Sequence, residues 1–173
     1  MKSVKLIAFD IDGTLTSGSI VLDAEGGEQK QFSVADGLGF RLADSIGIHL
    51  AVISARSSKA VKTRMAWLPP ENVLLKVGDK AVALRELQNR LGASVDETAF
   101  MGDDFNDLPA FEYAGIKIAT ANAARQVKRL ANYITTKPGG DGAAREAIEW
   151  LLRGQNRLEE AIEKYLEREL SNV

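Results

Sequence analysis

An apolar run that ends abruptly in two carboxylates, Leu6-Ile-Ala-Phe-Asp10-Ile-Asp12-Gly-Thr-Leu15, constrains this chain more than any other stretch. The run lacks the polar alternation of a half-exposed strand. It therefore suits a central strand covered on both faces, as in parallel α/β sheets. Side chains at i and i+2 of an extended segment point the same way, which lets Asp10 and Asp12 face one site. Ligands of open parallel sheets bind beyond the carboxyl ends of the strands, where these aspartates would sit. Asp and Gly are also ordinary turn residues, so the stretch alone is equally well an acidic turn. The rest of the chain decides between the two.

Its 173 residues are enough for one domain with a sizeable core. A net charge of −2 gives no general reason to expect nucleic acid or an anionic membrane as partner. The absence of cysteine excludes disulfides, thiolate metal sites and a cysteine nucleophile. No apolar run approaches the ~20 residues of a membrane span, and the N-terminus lacks a signal-peptide pattern, so a cytoplasmic location is expected.

After the first strand, residues 18–34 read as a β-hairpin, with Ser19–Leu22 and Gln31–Val34 flanking a glycine-containing turn. Asp36 is expected to cap a helix reaching about Ser45, with Gly47 stopping it. Strands follow at Ile48–Ile53, Val73–Val77, Thr98–Met101, Ile116–Ala119 and Tyr133–Thr135. Helices are expected over Ser57–Leu68, Lys80–Leu91, a short segment to about Tyr113, Ala123–Leu130 and Ala143–Leu152. This alternation predicts an α/β fold with a doubly wound parallel sheet over residues 1–153. Residues 154–173 carry Leu158, Ile162, Tyr165 and Leu166 at helical spacing, an amphipathic C-terminal helix that packs on its own domain or on another subunit.

Polar residues cluster just past several strand ends: Asp10 and Asp12, then Ser54, then Asp103, Asp104 and Asp107, with Lys80 after a Gly-Asp turn. In a doubly wound sheet these loops converge on one edge. Together they hold the parts that phosphoryl transfer from a monoester requires. A carboxylate nucleophile divides one hard step into two. A second carboxylate protonates the leaving oxygen and later activates water. Mg²⁺ offsets the gathered negative charge. An ammonium and a hydroxyl steady the transferring oxygens.

The segment Asp10-Ile-Asp-Gly-Thr-Leu-Thr16 resembles the first signature of the haloacid dehalogenase superfamily phosphatases. Ser54 after Leu50-Ala-Val-Ile, Lys80, and Gly102-Asp-Asp-Phe-Asn-Asp107 resemble the second, third and fourth, in the family's order. The resemblance implies that Asp10 is the nucleophile and Asp12 the acid/base. It also implies that Ser54 and Lys80 bind phosphate, and that Asp10, the Asp12 carbonyl and Asp103 hold Mg²⁺. Asp104 and Asp107 are either second metal ligands or partners that orient Lys80, and for Asp104 a purely structural role stands equally.

Members with a mobile cap insert it between the first and second or the third and fourth signatures. Here those intervals are 42 and 23 positions, filled by a hairpin with one helix and by one helix with one strand. The chain thus resembles the capless subgroup, whose members are homo-oligomers, typically tetramers in which a neighbour completes the lid. Lys30-Gln-Phe-Ser-Val-Ala-Asp-Gly-Leu-Gly39, Ser54-Ala-Arg-Ser-Ser58, Arg64 and Pro138-Gly-Gly-Asp-Gly-Ala-Ala-Arg-Glu146 are similar to the branch acting on 3-deoxy-D-manno-octulosonate 8-phosphate. That implies a Mg²⁺-dependent sugar-acid phosphatase whose substrate carboxylate meets Arg56 and Arg64. Both arginines are equally read as solvated helix charges. A nonulosonate 9-phosphate phosphatase, a promiscuous sugar phosphatase and a non-catalytic module of the same fold are the alternatives. His49, Trp67 and Trp150 read as structural. Gly139-Gly140 either cradles an anion or serves a loop needing positive φ.

Overall fold

The structure is a computed structural model that describes residues 3–171. In chain order the elements are β1 (Leu6–Phe9), β2 (Val21–Leu22), β3 (Glu28–Gln29), α1 (Val34–Ser45), β4 (His49–Ser54), α2 (Lys59–Arg64), β5 (Val73–Leu75) and α3 (Lys80–Leu91). They continue as β6 (Thr98–Gly102), α4 (Leu108–Phe111), β7 (Ile116–Ala119), α5 (Arg125–Leu130), β8 (Tyr133–Ile134), α6 (Ala143–Gly154) and α7 (Leu158–Ser171). Six strands form one parallel sheet in the order β5-β4-β1-β6-β7-β8. The doubly wound α/β architecture is as the alternation predicts.

β1 is central because both of its faces can be buried. Leu6 and Ala8 join Leu84, Leu87, Phe100 and Phe111 on the α3–α4 side. Ile7 and Phe9 join Leu42, Ile148 and Leu152 on the α1–α6 side. All four β1 residues are 0–1% exposed, which explains a run without alternation. The chain leaves β1 for β4 on one flank and returns to β6 on the other. The strand order therefore reverses at β1 and opens a crevice beyond its carboxyl end.

Residues 13–48 contain the hairpin and α1, and residues 92–97 only a short turn, so neither interval carries a cap domain. The hairpin differs from expectation in its second arm. Pairing runs through Val21↔Gln29 and Leu22↔Glu28, while Val34 already begins α1. Apolar Phe32 and Val34 suggested strand, yet the hairpin closes on its polar residues.

Asp36 is a second correction. It does not cap α1, whose N-cap position is Ser33. Its buried carboxylate instead accepts from the Arg145 backbone N–H at 2.9 Å. The N-cap of α6 is Gly142, which has no side chain to offer, so α1 supplies the acceptor for that helix end. Burial raises the Asp36 pKa, and the amides of Arg145, Gly142 and Ala144 oppose the rise.

The third difference is length. α2 is shorter than its pattern suggested, starting after Ser58, whose hydroxyl accepts from Val61 N–H at 3.2 Å. At the C-terminus, α6 runs through Gly154 and the chain turns back so that α7 packs on α1. Leu158 and Ala161 enter the same core as Ile148, and the Ser45 hydroxyl donates to the Ala161 carbonyl at 2.9 Å. Ile162, Leu166 and Leu170 remain exposed on this helix.

Candidate active site

The loop after β1 turns tightly because one carbonyl gathers several donors. Ile11 O accepts from the N–H groups of Leu15 and Thr16 at 2.9 and 3.0 Å, and from the Thr16 hydroxyl at 3.2 Å. Gly13 sits at φ +93°, and a Cβ there would lie 2.0 Å from Asp103 Oδ2. Glycine is thus required twice, by backbone conformation and by the approach of the β6 loop.

Lys80 is the first residue of α3. Asp79 caps that helix by accepting from Ala81 and Val82 N–H at 2.8 and 3.2 Å, which fixes where the lysine emerges. Its ammonium is 3% exposed and donates to Asp10 Oδ1 at 2.5 Å and Asp107 Oδ1 at 2.6 Å. The other Asp107 oxygen accepts from the N–H groups of Asp103 and Asp104 at 2.8 and 3.2 Å. Fully buried Asp107 therefore holds both Lys80 and the loop that carries Asp103. Of the two roles left open for Asp107, orientation of Lys80 is the one in place. Asp104 caps the turn at Phe105–Asp107, accepting from Phe105 N–H at 2.8 Å.

Oxygens of Asp10, Asp103 and Asp107 lie within 4.8 Å of one another. Asp10 and Asp103 of the expected ligand set thus lie together, with the Lys80 partner Asp107 beside them. The Asp12 side chain points to the hairpin, where Lys30 pairs with it. Burial first, then the Asp107 charge, pushes the Asp10 pKa up to about 7 against the pull of Lys80. The same two causes, in the same order, push Asp103 up to about 6. Lys80 is raised by Asp10 and Asp107 although its burial opposes this. Carboxylates held at a charging cost, with hard oxygen donors and one ammonium, fit a site for Mg²⁺.

Ser54, at the end of β4, is 3% exposed and accepts from Arg56 N–H at 3.2 Å. Arg56 reaches the hairpin, its guanidinium lying 2.9 Å from Glu28 and 3.8 Å from Asp12. Lys30, with a side chain 1% exposed, pairs with Asp12 and lies 2.8 Å from Glu28. Two hairpin residues and two loop residues thus make a closed ring of alternating charge over the crevice. Glu28 and Lys30 were missed as site residues. Their i, i+2 spacing where β3 ends, akin to that of Asp10 and Asp12 past β1, was the available signal.

Arg64 is seated elsewhere. Its guanidinium lies 5.9 Å from the Phe32 ring centre and against Gly37, in a cavity of about 720 Å³ shared with Arg41, Trp67 and Tyr165. Trp67 stacks on Phe40, and Trp150 on Tyr133, so both tryptophans pack as expected. Gly139 lies against Gly13, where a Cβ would meet the Gly13 carbonyl at 1.9 Å. The Asn122 amide ties the two loops, donating to Gly13 O at 3.1 Å and accepting from Gly139 N–H at 2.7 Å. Asn122 is another residue the sequence did not single out.

Residues 71–146 match the family model of the haloacid dehalogenase-like hydrolases. The chain is 35% identical over 160 residues to the 3-deoxy-D-manno-octulosonate 8-phosphate phosphatase of Escherichia coli K12, covering 92% of this chain and 85% of that protein. Among solved structures, the enzyme of that name from Moraxella catarrhalis, in complex with magnesium, phosphate and KDO, superposes with a TM-score of 0.87. It is 40% identical, with 94% and 93% of the two chains covered. The cobalt-bound form of the corresponding Haemophilus influenzae phosphatase gives a TM-score of 0.85 at 36% identity, covering 89% of this chain and 90% of that one.

Proposed function

The chain belongs to the haloacid dehalogenase-like hydrolases, and on that premise we propose that it is a Mg²⁺-dependent phosphatase acting on 3-deoxy-D-manno-octulosonate 8-phosphate through an aspartyl phosphate. The observation that carries this is the Lys80 ammonium held between Asp10 and Asp107, beside Asp103, at the switch point of the sheet. A buried lysine clamped by two carboxylates has no use in an ordinary hydrophobic core, but it steadies phosphoryl oxygens well.

Asp10 attacks phosphorus and carries the phosphoryl group. Asp12 gives a proton to the departing sugar oxygen, then takes one from the water that cleaves the aspartyl phosphate. The Ser54 hydroxyl and the Lys80 ammonium bind the phosphoryl oxygens. Asp10, Asp103 and the Asp12 carbonyl would hold Mg²⁺, which when bound neutralises charge between nucleophile and phosphate. Arg56 binds the substrate carboxylate in two-pronged fashion. Arg64 faces a different cavity of the same chain, so it is not assigned to this pocket.

The exposed apolar residues Ile20, Val21 and Leu22 of the hairpin support a homo-oligomer, of four subunits in this reading, in which a neighbour helps close the site. Among the described residues, no helix is long and apolar enough to cross a membrane.

The test is a kinetic comparison with Mg²⁺ of octulosonate 8-phosphate, a nonulosonate 9-phosphate and a generic phosphate ester. Higher kcat/KM for the octulosonate is expected. A preference for the nine-carbon acid would move the assignment to that branch, and no turnover of any ester by folded protein would refute the enzyme.

A further inference from the structure

The charge ring over the crevice contains a competitor for the substrate. Glu28 lies on β3 of the hairpin and presents one oxygen to Arg56 at 2.9 Å and the other to Lys30 at 2.8 Å. Its carboxylate therefore already occupies the guanidinium assigned to the substrate's carboxylate. Lys30 draws Glu28 down to a pKa below that of a free glutamate, and Arg56 contributes to the same end, so the competitor is charged at neutral pH. The Glu28 side chain is 16% exposed and that of Arg56 51%. The pair is accessible enough to exchange, and a pair of this exposure is modest in strength. Asp12, the other anion of the ring, touches Arg56 only at 3.8 Å and is engaged by Lys30.

Resting on the Arg56 assignment above, we propose that Glu28 is a product-displacing residue: an internal carboxylate that re-pairs with Arg56 and ejects the dephosphorylated sugar acid. The chemistry asks for such a device. Hydrolysis removes the phosphate from one end of the ligand but leaves the carboxylate at the other, so contacts to the carboxylate hold product as firmly as substrate. Binding energy spent equally on both does not speed turnover. A tethered anion next to Arg56 offsets that hold without weakening the phosphate contacts.

The experiment measures inhibition by the free octulosonate acid, without phosphate, in wild type, Glu28→Gln, Glu28→Ala and Arg56→Gln. Glutamine keeps the shape of Glu28 and removes its charge, and a thermal melt verifies folding of each variant. Both Glu28 variants should bind the free acid about two- to fivefold more tightly, the range expected for removing a partly exposed ionic competitor. Arg56→Gln should bind it more weakly. Unchanged or weaker inhibition in the Glu28 variants, with the Arg56 effect present, overturns the role of Glu28 alone. No effect of Arg56→Gln overturns the carboxylate assignment, and the Glu28 proposal with it.

Discussion

Asp10 should make the metal-free protein less stable as pH rises, and replacing it with asparagine should reverse that loss. Its carboxyl titrates at about 7 in the fold against 3.8 in a free chain, chiefly through burial and then through Asp107. Between these values the unfolded chain has released a proton that the folded protein keeps. The folded state binds more protons there, so its stability falls as pH rises. Below pH 4 the cost is absent, and above pH 7 it is fully present. About three units at ~1.4 kcal/mol each correspond to a cost on the order of 4 kcal/mol, of which about 2 to 3 develops between pH 5 and pH 8. Asparagine is neutral throughout, and its carbonyl oxygen can still accept from Lys80. The assay is thermal unfolding of wild type and Asp10→Asn in a chelator at pH 5, 6, 7 and 8. The variant's advantage should widen by roughly 4 to 12 °C over that range, at 2–4 °C per kcal/mol for a chain of this size. Mg²⁺ at about a hundredfold its Kd should then stabilise the wild type at pH 8 by about 2.7 kcal/mol, and the variant by much less. A gap that stays flat or narrows with rising pH would refute the electrostatic reading of the carboxylate cluster.

Two further outcomes follow from the packing around the site. Gly13→Ala, at φ +93° and with a Cβ 2.0 Å from Asp103 Oδ2, should lower kcat by about a hundredfold through displacement of the β6 loop; steady-state kinetics with near-normal rates would argue against that contact. Asp36→Ala should cost about 1 to 3 kcal/mol in urea unfolding by stripping α6 of its borrowed acceptor, whereas Asp36→Asn should retain most of the stability.

How much of this was legible in the sequence depended on sequence distance. β1, β7 and the span of α3 follow from local pattern, and Gly92 ends α3 in a left-handed conformation as its position suggests. The meeting of Asp10, Lys80 and Asp103 was legible because each sits at the end of a recognisable strand or the start of a helix. What the sequence does not say is which way the Asp12 side chain turns. That depends on Lys30 and Arg56, which arrive from other loops. The hairpin's second arm was misplaced because its paired residues are polar and only two long, giving no periodicity to read. Asp36 resembled a local cap, but its partner is Arg145, more than a hundred residues away. Asn122 bridges Gly13 and Gly139 by the same kind of distant meeting.

The contact between Gly13 and Gly139 also imposes a timetable. The turn that bears the proposed nucleophile is synthesised more than a hundred residues ahead of the loop that braces it. At bacterial or eukaryotic elongation rates of about 5 to 20 residues per second, roughly 6 to 25 s separate the two. During that interval β1 can gain its strand neighbours β4 and β6 while α6 and the brace of the turn beyond it are still missing. Chains cut short before residue 139 would therefore carry every phosphoryl-transfer residue named above and still present an unfinished site.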